Sequence, residues 1–99
     1  MSDLVHDPER ADHVAEILKA LAHPLRVRIV SSLIHEGTCN VNALAQTFGV
    51  PQSLVSQHLK ILRMRHLVSA TRRDGFAWYT LAEPRLVELL RCLEACKAR

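Results

Sequence analysis

Aromatic residues are nearly missing from this chain: two Phe, one Trp and one Tyr make up 4% of its 99 residues. The 48% hydrophobic content therefore comes from Leu, Val, Ile and Ala. That suits packed helices and counts against a β-sandwich, which needs aromatic and β-branched cross-strand pairs. Cysteine is scarce too. Three cysteines, an odd number, do not make a disulfide scaffold and point to a reducing compartment. No apolar run approaches the roughly 18 residues that span a bilayer, so no membrane partner is expected. The opening Met1-Ser2-Asp3-Leu4-Val5-His6-Asp7-Pro8 has neither the basic nor the apolar stretch of a secretion signal. The expectation is a cytoplasmic protein. A glycine-rich phosphate loop is absent, as are Cys-x-x-Cys and His-Glu-x-x-His. These absences point away from an enzyme.

What is present reads as one small domain. A chain this short sits near the lower end of sizes that support their own core. An aliphatic core of that size is marginal alone, and dimerisation is a common remedy. The formal charge of +3 and pI near 9.1 suit a polyanionic partner without specifying one.

Asp7-Pro8-Glu9 has the signature of a helix start: a capping acid, proline at the first position, and an acid in the first turn. Val14, Ile17, Leu18 and Leu21 follow at helical spacing on one face. Pro24 ends that helix, because it disfavours helical geometry at the residue before it, and it opens a second helix from Leu25 to about Ile34. Leu25, Val27, Ile29, Val30, Leu33 and Ile34 make this second helix apolar nearly all round, as a central buried helix would be. Gly37 stops it. Asn40 can cap a third helix from Val41 to about Phe48, which Gly49 terminates. The turn Gly49-Val50-Pro51 then leads into a fourth helix from Gln52 to about Arg65. Two short helices joined this tightly form the helix-turn-helix pattern.

The period changes after that. The β-prone runs 67–73 and 76–81 flank Asp74-Gly75, a strong hairpin signal because both turn positions need positive φ. Glu83-Pro84 starts a last helix with an apolar stripe of Leu86, Leu89, Leu90, Leu93 and Cys96. The fold class is mainly α with a small β-hairpin: a winged helix-turn-helix with an extra helix at each end.

The fourth helix turns Leu54, Val55, Leu59 and Leu62 inward. Gln52, Ser53, Ser56, Gln57 and Lys60 are left outward, a polar row suited to insertion into the major groove of double-stranded DNA. Gln can pair bidentately with adenine, and Ser can reach a base edge or a phosphate. Lys60, Arg63 and Arg65 lie further along, as phosphate neutralisers. His58 either packs or touches a phosphate. Arg72 and Arg73 precede the hairpin tip, where a guanidinium can reach the minor groove or backbone. Any one of these features is common on a solvated surface. Their order along the chain points to DNA.

These same segments resemble a known family. Ala20-Leu21-Ala22-His23-Pro24-Leu25-Arg26, then Ser53-Leu54-Val55-Ser56-Gln57-His58-Leu59 with Leu62-Arg63, then Arg72 to Leu81 are similar to the ArsR/SmtB-type repressors, over about residues 11 to 96. The resemblance implies a homodimer built on the first and last helices. It also implies repression at a palindromic operator and release by an inducer, in many members a thiophilic or divalent metal ion, in others a reactive sulfur species or oxidant, while some have no known effector. On this reading residues 1–99 are a single domain: 8–36 dimerisation and core helices, 40–65 helix-turn-helix, 67–81 wing, and 83–97 dimerisation helix. The chain departs from the family in four places. Pro51 replaces a frequent Ser or Thr cap. Thr38-Cys39-Asn40-Val41 lacks a Cys-Val-Cys pair. The last helix lacks the Asp and His metal sets, and Ser31 stands where persulfide sensors place a cysteine.

Cys92 and Cys96, four apart on one helix, share a face. With Cys39 or a partner chain they could hold As(III), Cu(I) or Hg(II), undergo redox modification, or simply pack as small apolar residues. Cys39, at a helix start, is either activated by the helix dipole or incidental. His13 and Glu16, a helical turn apart, could ligate a metal or form a solvated pair. The alternative to a DNA-reading repressor is a winged-helix protein-interaction or thiol-based metal-binding module. In such a module the outward Gln/Ser/Lys row and Arg72-Arg73 have no task.

Overall fold

The computed structural model describes residues 3–96. The order is α1 (Pro8–Leu21), α2 (Pro24–Glu36), β1 (Thr38–Asn40), α3 (Val41–Phe48), α4 (Gln52–Met64), β2 (Val68–Arg73), β3 (Phe76–Leu81) and α5 (Arg85–Glu94). Five helices and a hairpin are as expected. The sheet, however, has three strands in the order β1-β3-β2, all antiparallel. β1 pairs Cys39 with Tyr79 and Asn40 with Trp78, so the wing is anchored to the helix-turn-helix just before α3.

Local chemistry sets the boundaries. The Asp7 carboxylate accepts from the Arg10 N–H at 3.1 Å and starts α1. Asn40 Oδ1 accepts from the Ala43 N–H at 2.8 Å and starts α3. α2 is capped by a ring: His23 Nδ1 accepts from the Leu25 N–H at 3.1 Å. At the hairpin tip Asp74 has φ 55° and Gly75 φ 82°, the pair of positive values that a two-residue primed turn demands. α4 ends without glycine. His66 takes φ 60°, while the Leu67 N–H reaches Leu62 O at 3.0 Å and the His66 N–H reaches Arg63 O at 3.0 Å. This is a Schellman closure, and its apolar contact is the buried Leu62 and Leu67.

The core is aliphatic. Ile29, Val30 and Leu33 of α2 meet Leu44 of α3, Val55, Leu59 and Leu62 of α4, Leu67, and Leu86 of α5, all essentially without solvent contact. α2 is less buried than its composition suggested: Val27 is 41% exposed. Leu18 of α1 and Leu93 of α5 are about half exposed as well. These residues line an open apolar hollow of about 710 Å3 between α1, α2 and α5. Among the described residues no helix is long and apolar enough to cross a membrane.

Candidate nucleic-acid interface

α4 divides by face, with Ile61 and Met64 as exposed apolar exceptions near its C-terminal end. Val55, Leu59 and Leu62 are fully buried, whereas Gln52, Ser53, Ser56, Gln57, Lys60 and Arg63 are exposed. The core therefore fixes which side of the helix is offered outward. Lys60 and Arg63 form no ion pair among the described residues, so both cations are open to an anion. Pro51 contributes no side-chain cap to α4, as its chemistry requires.

Two residues expected near DNA are used otherwise. His58 is buried, 8% exposed, with its ring 4.3 Å from that of His23. It belongs to the packing between α2 and α4 and stands apart from the outward row. Burial holds it below the usual histidine pKa, and the charges of His23 and Arg26 add to that. Arg65 is engaged by Glu16 at 3.2 Å, an ion pair tying the end of α4 to α1. Glu16 also lies 3.7 Å from Lys19, so it serves ion pairs in this structure.

The wing presents its cations on opposite faces. The Arg73 guanidinium lies 5.1 Å from the Trp78 ring centroid, and Trp78 Nε1 donates to Arg73 O at 3.3 Å. Stacking on an aromatic face limits the arginine's wandering without neutralising it. Arg72 donates to Gly75 O at 3.4 Å across the turn. Phe76, opposite Arg73 in the strand register, is 56% exposed at the tip. Neither the Trp78 brace nor the exposed Phe76 was visible from patterning. Asn42, on α3, also escaped notice: its Oδ1 accepts from Gln52 Nε2 at 3.0 Å.

The cysteines do not gather. Cys39 lies in β1 rather than at an open helix start; it is 7% exposed, with its sulfur 3.9 Å from Ser32 Oγ. α5 stops at Glu94, so Cys96 falls beyond the helix that was expected to reach 97, and residue 97 is outside the described set. Cys92 and Cys96 are both exposed, off the buried stripe of Leu86 and Leu90. Among the described residues no three His, Cys, Asp or Glu side chains cluster as a metal site. The end of α5 is tied down by Glu94. Its carboxylate accepts from Ser31 Oγ at 2.7 Å and lies 3.0 Å from His35 Nε2, and these bonds, Ser31 first, hold it below the usual carboxylate pKa.

Comparison with known proteins places this arrangement. The model of the arsR family of bacterial regulatory proteins matches residues 23–70. The biofilm growth-associated repressor of Xylella fastidiosa is 36% identical over 85 residues, spanning 86% of this chain and 74% of that protein. The crystal structure of the transcriptional repressor BigR from Xylella fastidiosa superposes with a TM-score of 0.85 at 32% identity, covering 98% of this chain and all of that one. The homodimeric winged helix-turn-helix DNA-binding domain of Mb0332 from Mycobacterium bovis gives 0.78 at 29% identity, covering 95% and 84%.

Proposed function

This chain belongs to the arsR family of bacterial regulatory proteins, and we propose that it is a repressor that binds a palindromic duplex operator as a homodimer and releases it on meeting an inducer. The observation that supports this most is the division of α4. One face is locked into the core, and the other offers Ser53, Ser56, Gln57, Lys60 and Arg63 beside a basic wing. Ser56 and Gln57 meet base edges. Lys60 and Arg63, with Arg72 and Arg73 on the wing, neutralise phosphates.

Dimerisation uses α1 and α5. Leu18, Val27 and Leu93 leave apolar surface around the hollow, and a second copy covers it. Of the three cysteines, Cys92 and Cys96 are the accessible pair, so a thiophilic ion or an oxidant acts there and not at Cys39.

The test begins with a duplex selected by the protein from a random library, followed by fluorescence anisotropy over a salt series. Nanomolar-range binding that weakens steeply with salt is expected. Absence of binding at low salt overturns the reading. Repeating the titration with As(III), Cu(I), Hg(II) and a persulfide donor, for the native chain and Cys92→Ser, tests the inducer: an unchanged affinity throughout returns the cysteines to a structural role.

A further inference from the structure

α3 and α4 are joined at their N-terminal ends by one side-chain contact. Asn42, the second residue of α3, receives the Gln52 Nε2 hydrogen bond at 3.0 Å, and Gln52 is the first residue of α4. Both residues are exposed, and with Phe76 of the wing they line a hollow of about 270 Å3. We infer that Asn42 is a positioning residue for base recognition, which holds the Gln52 amide in the orientation that reads adenine.

The hydrogen-bond inventory supports this role. A glutamine amide has two N–H donors and one carbonyl acceptor. Asn42 takes up one donor, leaving the second N–H and Oε1. Those two groups are what a bidentate contact to adenine N7 and the adenine 6-amino group requires. An unrestrained surface glutamine would lose its rotamer freedom on binding. A glutamine already held by Asn42 has lost part of it beforehand, which favours the bound geometry.

Local structure gives Asn42 no other task. Asn40 is the residue that caps α3, and asparagine is a weaker helix former than alanine inside a helix. Asn42→Ala should therefore leave α3 intact or firmer, so a change in recognition cannot be blamed on unfolding.

The inference rests on the proposed function, and the experiment separates the two. The probes are the duplex selected from a random library and its single-base-pair variants. Binding is measured for the native chain, Asn42→Ala, Gln52→Ala, the double variant and Asn42→Asp. Gln52→Ala should lower discrimination at one A·T pair by about tenfold, the order of one bidentate contact. Asn42→Ala should lower it at the same pair, by about threefold, with affinity for the most mismatched duplex little changed. On the Gln52→Ala background Asn42→Ala should add nothing, as coupled residues behave in a double-mutant cycle. Asn42→Asp keeps the acceptor oxygen and should restore discrimination while weakening binding to every duplex through its charge.

Additive effects of the two alanine variants would overturn the inference, as would unchanged discrimination in Asn42→Ala. Unchanged discrimination in Gln52→Ala overturns it as well, while leaving the DNA-binding reading intact. Failure of the native chain to bind any duplex instead brings down the proposed function itself.

Discussion

His23 and His58 stack with ring centroids 4.3 Å apart and planes tilted by 42°. His23 closes over a ring buried on α4, and its own Nδ1 accepts the first N–H of α2. The cap uses the lone pair of His23 Nδ1 as its acceptor. His58 Nδ1 is buried without a hydrogen-bond partner among the described residues, and Arg26 lies close enough to oppose a second positive charge.

The pH dependence follows from that stack. The folded state holds His58 below the usual histidine value near 6.5, mainly by burial. On acidification the unfolded chain binds the proton first, so the contribution of His58 is complete above pH 6.5 and is lost as pH falls below it. Urea midpoints should drop between pH 7.5 and 5.5, and His58→Leu, which cannot titrate, should flatten that drop. An unchanged slope in His58→Leu would refute the assignment.

Cations on α4 and on the wing should leave different marks on binding. Lys60→Ala is expected to weaken every duplex and, because the homodimer loses one contact from each protomer, to lower the slope of log affinity against log salt by about two. Arg73→Ala should act similarly. Gln57→Ala should mainly narrow the gap between the selected duplex and its variants, by about 1–3 kcal/mol. Salt-dependent anisotropy distinguishes the two patterns.

Leu93 is 51% exposed on α5 beside the apolar hollow. Leu93→Glu places a charge on that surface, and light scattering should then report a monomer. Operator affinity should fall at least tenfold, because the two half-sites are no longer read together. A dimer of unchanged mass would place the interface elsewhere.

His66 closes α4 at φ 60°, a conformation glycine adopts without cost. His66→Gly should raise stability by about 0.5–1 kcal/mol, since relief of strain outweighs the added freedom of the unfolded chain. Chemical denaturation with an unchanged m-value would check it.

Much of this fold was legible because caps and turns are written locally. Asp7, Asn40, Gly37, Gly49 and Asp74-Gly75 each mark a boundary by their own stereochemistry. Three residues of β1 were too few to display a period, and Asn40 served both as strand partner and as helix cap. The end of α4 near Arg65 was foreseen, but its closure by His66 was not, because a histidine does a glycine's work there. The outward row of α4 followed from helical periodicity. Asn42 and Trp78 could not, since each acts through a residue on a different element. His58 illustrates a similar limit: the sequence left it between packing and a phosphate, and its contact with His23 decides for packing.

Glu16 joins α1 to Arg65 at the far end of α4. With α1 at the seam between two copies, the packing of α1 on α2 and α4, to which this ion pair adds, sets the separation of the two reading helices, and the pair behaves as a calliper with a set opening. Such an instrument measures distance as well as sequence. Half-sites one helical turn apart present the same face of the duplex; inserting about half a turn, roughly five base pairs, carries the second site to the opposite side, where a braced dimer cannot follow.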